Sequence, residues 1–262
     1  MKNNDYLESS RCMLIVGHPG HELRVLGWVQ RLRPIVVALT DGSGNTGKSR
    51  LDISRAMLTA TGGTPSSLYG MTSDREIYSK NFKQDFDFFL GLSDSIARLL
   101  IKQRTEVVVG DAIEGYNPSH DLCRLIIDRA IRLVKNELNC NIKNYVFALK
   151  EHPHFHDIDS KILMIELSPD ELVLKFSEAN RYADIVKGAL GKEILESIEY
   201  YGKDIFSKEG FSCQNSSAVL NKFDKERPYY EAYGEQQVNE GFYKQAIYYS
   251  KHIAPIARAL SQ

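Results

Sequence analysis

Four cysteines in 262 residues, Cys12, Cys123, Cys140 and Cys213, form no Cys-x-x-Cys pair. That argues against a thiolate metal knuckle and against a disulfide-stapled scaffold. Cys12 and Cys123 fall in apolar surroundings and read as reduced core or near-core residues. Long apolar runs are also missing. Nothing approaches the ~20 residues that span a bilayer, and the polar segment 1–11 lacks the hydrophobic stretch of a signal peptide. Charge of either sign is not in excess: 33 Lys and Arg stand against 34 Asp and Glu. No field therefore draws the chain to nucleic acid or to a membrane surface. Internal repeats, low-complexity tracts and long linkers are absent too. What is left is a cytoplasmic enzyme-like composition, 43% hydrophobic, with enough length for one substantial core. Self-association into a homo-oligomer stays open.

Apolar runs alternate with amphipathic stretches along the chain. Strands are expected at 12–17, 34–40, 65–69, 105–111, 143–149 and 161–167. Helices are expected at 22–32, 48–61, 82–103, 119–138, 169–187 and 190–205, and again from 234 to 260. Ser168-Pro-Asp-Glu171 is a strong helix start, with a capping serine, proline at the first position and glutamate three residues on. Such alternation predicts an α/β fold: a three-layer, Rossmann-like, mostly parallel sheet with helices on both faces, plus a C-terminal helical extension. One domain over 1–262 is the economical reading, with a core at 12–187, an extension at 188–262, and 207–233 as the least regular stretch.

The most informative segment is Met13-Leu-Ile-Val-Gly-His-Pro-Gly-His-Glu-Leu23. A buried strand gives way to a loop with two histidines three residues apart, and Leu23, Leu26 and Val29 then take helical spacing. In open α/β folds, ligands bind at this carboxyl edge. A third histidine has the same setting: Glu106-Val-Val-Val-Gly-Asp111 reads as a strand, and His120 opens the next helix behind Pro118 and a capping Ser119. His18, His21 and His120 would make a His₃ set with an open fourth position, an arrangement suited to activating water on zinc or another divalent ion.

At these residues the chain resembles the PIG-L/LmbE-like de-N-acetylases. His18-Pro-Gly-His-Glu22 is similar to that family's His-Pro-Asp-Asp-Glu signature. Val36-Val-Ala-Leu-Thr-Asp-Gly42 resembles its second strand, Arg55 to Gly62 the helix that follows, and Asn117-Pro-Ser-His120 its His-Pro-Asp-His. The resemblance covers residues 12–182. It implies a zinc-dependent hydrolase that removes acetyl from an amino-sugar-type small molecule, with His18 as first ligand, His120 as third, and His21 in place of an aspartate ligand. Gly20 stands where the family has its catalytic aspartate, and Asn117 where it has a histidine that supports the oxyanion. An asparagine amide still donates a hydrogen bond there. Glu114 and Asp111, which share the loop with His120, are the leading candidates for the missing base. Asp41 follows, with an alternative role hydrogen-bonded to a ligand histidine. Glu22 is read as orienting the loop. A fold member that keeps the metal and has lost hydrolysis is the second reading.

A third reading comes from Gly42-Ser-Gly-Asn-Thr-Gly-Lys-Ser49, which satisfies the G-x-x-x-x-G-K-[ST] pattern of a phosphate loop. It would make Lys48 and Ser49 phosphate and Mg²⁺ contacts, but it leaves the three histidines without a role. Candidates for substrate contacts are Tyr116, His154 in Glu151-His-Pro-His-Phe-His-Asp157, and Arg227 in Glu226-Arg-Pro-Tyr-Tyr230, whose guanidinium suits a phosphate or carboxylate. Tyr243, Tyr248, Tyr249 and His252 read as a buried stripe.

Overall fold

The computed structural model describes residues 11–150, 163–186, 196, 198–200 and 202–262. Five parallel strands, β1 (Cys12–Val16), β2 (Ile35–Ala38), β3 (Thr64–Pro65), β4 (Val107–Asp111) and β5 (Lys143–Phe147), lie in the order β3-β2-β1-β4-β5. The chain builds outward from β1 through β2 to β3, then returns to lay β4 on the other side of β1. That reversal opens a crevice at the carboxyl ends of β1 and β4, the position at which doubly wound sheets bind ligands. The two strands approach closely because Ile15 faces Gly110, where a Cβ would meet the Ile15 carbonyl at 2.6 Å.

Alternation along β1 divides the core. Met13 and Ile15 face one layer with Val37, Leu39 and Val108, covered by α4 (Phe86–Lys102), α5 (Pro118–Leu138) and the C-terminal helix Ala254–Ser261. Leu14 and Val16 face the other with Val36, Ala38, Val109, Trp28 of α1 (Leu26–Leu32) and Leu58 of α2 (Leu51–Thr61). Both faces of β1 are buried, which is why the strand reads as an unbroken apolar run. Each such side chain contributes roughly 1.5–3 kcal/mol of burial.

Several elements depart from the sequence-based expectation. The strand expected at 161–167 is β6 (Leu163–Glu166), which lies outside the parallel sheet and pairs antiparallel with β7 (Lys208–Phe211). The C-terminal extension is thus not purely helical, and a Val146–Ser212 bridge fastens this strand pair to β5. The strand expected at 65–69 is only two residues long, because Tyr69 N–H turns back to the Ser66 carbonyl at 3.2 Å. The expected helix at 234–260 breaks after Tyr229–Asn239: Gly241 takes φ 79°, and regular helix resumes at Ala254 after a π-turn at Tyr249–Ile253. Half of the helix expected at 190–205 lies outside the described residues, and its last residues instead fall in a short 3₁₀ turn, Lys203–Ser207, behind Gly202 at φ 81°. A helix that the sequence reading did not anticipate, α3 (Asp74–Phe82), follows β3.

One long-range tie positions the first loop. Glu209, on β7, accepts the backbone N–H groups of Gly27 and Trp28 at 2.9 and 2.8 Å, so a carboxylate closes the amino end of α1. Lys175, on α6 (Pro169–Val186), holds that carboxylate at 2.7 Å.

Candidate metal centre

Three histidines meet above the crevice. Beyond β1, Gly17 N–H donates to Asp111 Oδ2 at 2.7 Å, and the chain then turns sharply, with His21 N–H reaching the His18 carbonyl at 3.3 Å. The turn depends on Gly20, whose φ of 110° is a conformation that side-chain-bearing residues rarely adopt. Glu22, fully buried, accepts Gly20 N–H at 2.5 Å and the hydroxyls of Ser54 and Tyr69 at 2.8 Å each, so it holds the loop from beneath. Tyr182 of α6 donates to the Pro19 carbonyl at 2.7 Å from above. His120 arrives in the first turn of α5. Asn117, not the expected Ser119, caps that helix: its Oδ1 accepts Ser119 N–H at 2.9 Å, and Pro118 follows where a missing N–H is harmless.

The rings of His18, His21 and His120 meet edge to face, with centroids 4.5 to 5.1 Å apart. One ring nitrogen from each lies within 4.8 Å of the others. Burial holds the pKa of both His21 and His120 well below the ordinary 6.5, and the neighbouring imidazoles lower it further. Both are therefore neutral at pH 7, the form that ligates a metal.

Two of the rings rest on carboxylates. His21 presents Nδ1 to Asp111 Oδ2 at 2.9 Å, leaving Nε2 for an ion. His18 places Nε2 3.2 Å from Asp74 Oδ1 and 3.2 Å from Ser119 Oγ. Burial raises the Asp111 pKa. For Asp74 burial also pushes upward, but contact with His18, Thr40 and the Gly44 N–H outweighs it and holds the carboxyl below its usual range. Three imidazoles, those of His18 and His21 buried against carboxylates and that of His120 half-buried, with a fourth direction left to substrate or water, fit a zinc-type ion.

The remaining candidates are distributed around this centre. Glu114 spends its carboxylate on the N–H groups of Leu149 and Lys150, at 3.0 and 2.9 Å. Asp111 sits fully buried beneath His21, as described. Asp41 accepts Ser43 N–H at 3.0 Å and Asp74 N–H at 3.2 Å, so it bears on the centre through Asp74. Asn117 Oδ1 also receives the Tyr78 hydroxyl at 3.2 Å, which leaves the amide NH₂ as its donating end. Tyr116 lines a pocket shared with His21 and His120 and stacks on Tyr229 at 5.1 Å. Arg227 pairs with Glu231 and Glu235 of the adjoining helix, at 3.1 and 2.7 Å. His154 and its neighbours lie outside the described residues. Asp74, Tyr78 and Tyr182 were not singled out from the sequence. Only the capping Ser73, which accepts Glu76 N–H at 3.1 Å, marked the helix that carries Asp74.

The phosphate-loop pattern folds without a phosphate cradle. The N–H groups of Gly42, Ser43, Gly44 and Lys48 are already bonded to the side chains of Thr40, Asp41, Asp74 and Thr46. Such a cradle needs those amides pointing together at an anion.

No protein-family model and no curated protein sequence matches the chain. Among solved structures it is similar to the zinc-inhibited form of teicoplanin deacetylase Orf2, with TM-score 0.56, 14% identity, and coverage of 77% of this chain and 97% of that one. The deacetylase Dbv21 of the A40926 pseudoaglycone gives TM-score 0.54 at 14% identity, covering 78% and 96%. A conserved protein from Thermus thermophilus gives 0.50 at 13%, covering 79% and 95%. These likenesses establish a common fold: a mostly parallel five-stranded α/β sheet.

Proposed function

We propose that the chain is a metal-dependent amide hydrolase that removes an acyl group from the nitrogen of a small molecule, an amino-sugar conjugate being the first substrate class to examine. The observation that carries this reading is the convergence of His18, His21 and His120 within 4.8 Å at the sheet's switch point. The shared fold with two deacetylases supports it. His18, His21 and His120 would hold the ion, with Asp74 and Asp111 fixing the rings of His18 and His21. When bound, a zinc-type ion supplies Lewis acidity to the amide carbonyl and to the attacking water.

The chain's own residues do the rest. Asn117, with its oxygen tied to α5, presents the NH₂ end to the developing oxyanion. Asp41 braces Asp74 through its N–H, and Glu114 fixes the loop after β5. Gly20 offers no carboxylate for proton removal and Glu114 is tied to backbone amides, so without a side-chain base the rate should climb with pH rather than plateau above a carboxylate's pKa. Gly20 is also the observation that favours the second reading, a binding protein that keeps the metal without hydrolysis.

One experiment separates the readings. Tag-free protein and a His18→Ala control are assayed for metal by elemental mass spectrometry, then for amine release from N-acylated glucosamines. About one ion per chain, lost in the control, together with amine release is the result expected. Metal without amine release would favour the binding reading, and no metal after reconstitution would overturn both.

A further inference from the structure

The surroundings of the three histidines differ in polarity from side to side. Around His18 stand Asp74, Ser119, Asn117 and Tyr78, a hydrogen-bonding wall. On the opposite side a pocket opens whose walls include Gly20, His21 and His120 but not His18. Leu23, Tyr116, Leu149, Phe176, Ala179 and Phe206 make most of its remaining surface apolar. Arg24 and Lys150 also line it, but the Arg24 guanidinium is engaged by the Leu149 carbonyl and lies 6.0 Å from the Phe206 ring centroid, and the Lys150 ammonium sits 4.4 Å over the Tyr116 ring. Phe176 and Phe206 meet edge to face at 5.8 Å and form one firm boundary. Lys175 also lines the pocket, but its ammonium is held by Glu209 at 2.7 Å and by the Arg24 carbonyl at 2.8 Å, so what it offers is mainly its stem.

Among the described residues the cationic heads in these walls are already engaged, so a sugar ring would find few partners for its hydroxyls there, and unpaired hydroxyls are costly to bury. An alkyl chain meets no such penalty. The cavity measures about 60 Å³. One water-sized group occupies roughly 10–15 Å³ on the same measure, so there is room for roughly four to six. An acetyl methyl fills only one of these places.

We propose that this pocket receives the acyl chain of the substrate, and that the chain is longer than acetyl, in the butanoyl-to-hexanoyl range. The amine portion then lies on the polar His18 side. This inference rests on the amide-hydrolase reading for its chemistry, but the pocket's preference for chain length is measurable as binding alone.

The test uses the full chain, loaded with zinc, and three probes: N-acetyl-, N-butanoyl- and N-hexanoylglucosamine. Dissociation constants come from ligand-observed NMR, and amine release is followed in parallel. Burying one methylene is worth about a fourfold gain in affinity. After ordering costs, a gain of about tenfold or more from acetyl to hexanoyl is expected. Ala179→Leu, which fills the pocket, should shift the preference toward acetyl. Phe176→Ala, which opens it, should shift the preference toward a fourth probe, N-octanoylglucosamine, and this second variant keeps the test decisive if the first does not fold. Equal affinity for the three probes, or an acetyl preference that neither variant moves, overturns the inference even if acetyl is released. Length-dependent binding that shifts in the two variants, with no amine released from any probe, upholds the pocket and overturns the hydrolase reading.

Discussion

Asp74 Oδ1 stands 3.2 Å from Nε2 of His18, joining the first turn of α3 to the loop after β1. The contact engages Nε2 of His18 and so orients the ring. Asp74→Asn keeps the shape and removes the charge, so metal affinity should fall about 10- to 100-fold with the ion still bindable. Chelator competition measures this, and an unchanged affinity would remove Asp74 from the centre.

His120→Ala should strip the site more completely. Two imidazoles from one loop remain, and a two-ligand site is far weaker than three closed around one ion. Metal content should drop from about one to near zero after dialysis. Full occupancy in this variant would show that a different residue supplies the third ligand.

The depressed pKa of His21 and His120 sets a pH dependence with a definite sign. In the unfolded chain both take up protons near 6.5, whereas in the folded chain they resist until well below it. Between those limits the unfolded state holds more protons, so stability rises with pH through this window and is lost as pH falls below 6.5. Melting of the metal-free protein at pH 7.5, 6.5 and 5.5 should give a Tm that drops mainly over the last interval. A Tm that rises on acidification would reverse the assignment.

Gly20→Asp restores the carboxylate of the resembling family at a backbone φ of 110°. A side chain there costs about 1–3 kcal/mol of strain. Urea denaturation should register that loss, and any gain in hydrolysis would appear despite it. Undiminished stability would mean that the loop relaxes to accommodate the new residue.

Glu209→Ala leaves the Lys175 ammonium buried without its partner and uncovers the amino end of α1. Breaking a buried pair from one side costs about 3–5 kcal/mol. The prediction is a lower denaturation midpoint, accompanied by weaker metal binding because α1 anchors the histidine loop. Weakened stability with unaltered metal affinity would separate the two effects.

Much of the centre was legible because it is written in local signals. β1 is buried on both faces and so shows an unbroken apolar run, and α5 announces itself by Pro118-Ser119 and a helical period, although its cap is Asn117. His18, His21 and His120 follow from where those elements begin and end. Asp74 escaped notice because α3 is polar and short, with little apolar periodicity to set it apart from a loop. The β7 strand was hidden for a different reason. Lys208-Glu-Gly-Phe211 carries little strand propensity, and β6, its partner, lies more than forty residues earlier in the chain. Glu114 shows the limit of reading a carboxylate from its address: it lies in the expected loop, but the nearby amides of Leu149 and Lys150 occupy it.

The tie between Glu209 and Gly27 spans 182 residues. A ribosome that has just released His18 and His21 has therefore made only one end of a clasp whose other end is still to be translated. Until Glu209 and Lys175 emerge, nothing closes the amino end of α1, and the histidine loop is held only by its nearer neighbours. Contacts of such separation are slow to form, because the loop-closure entropy is lost before the contact returns anything. The centre should thus be slow to mature, with its final geometry reached only once Glu209 has left the ribosome.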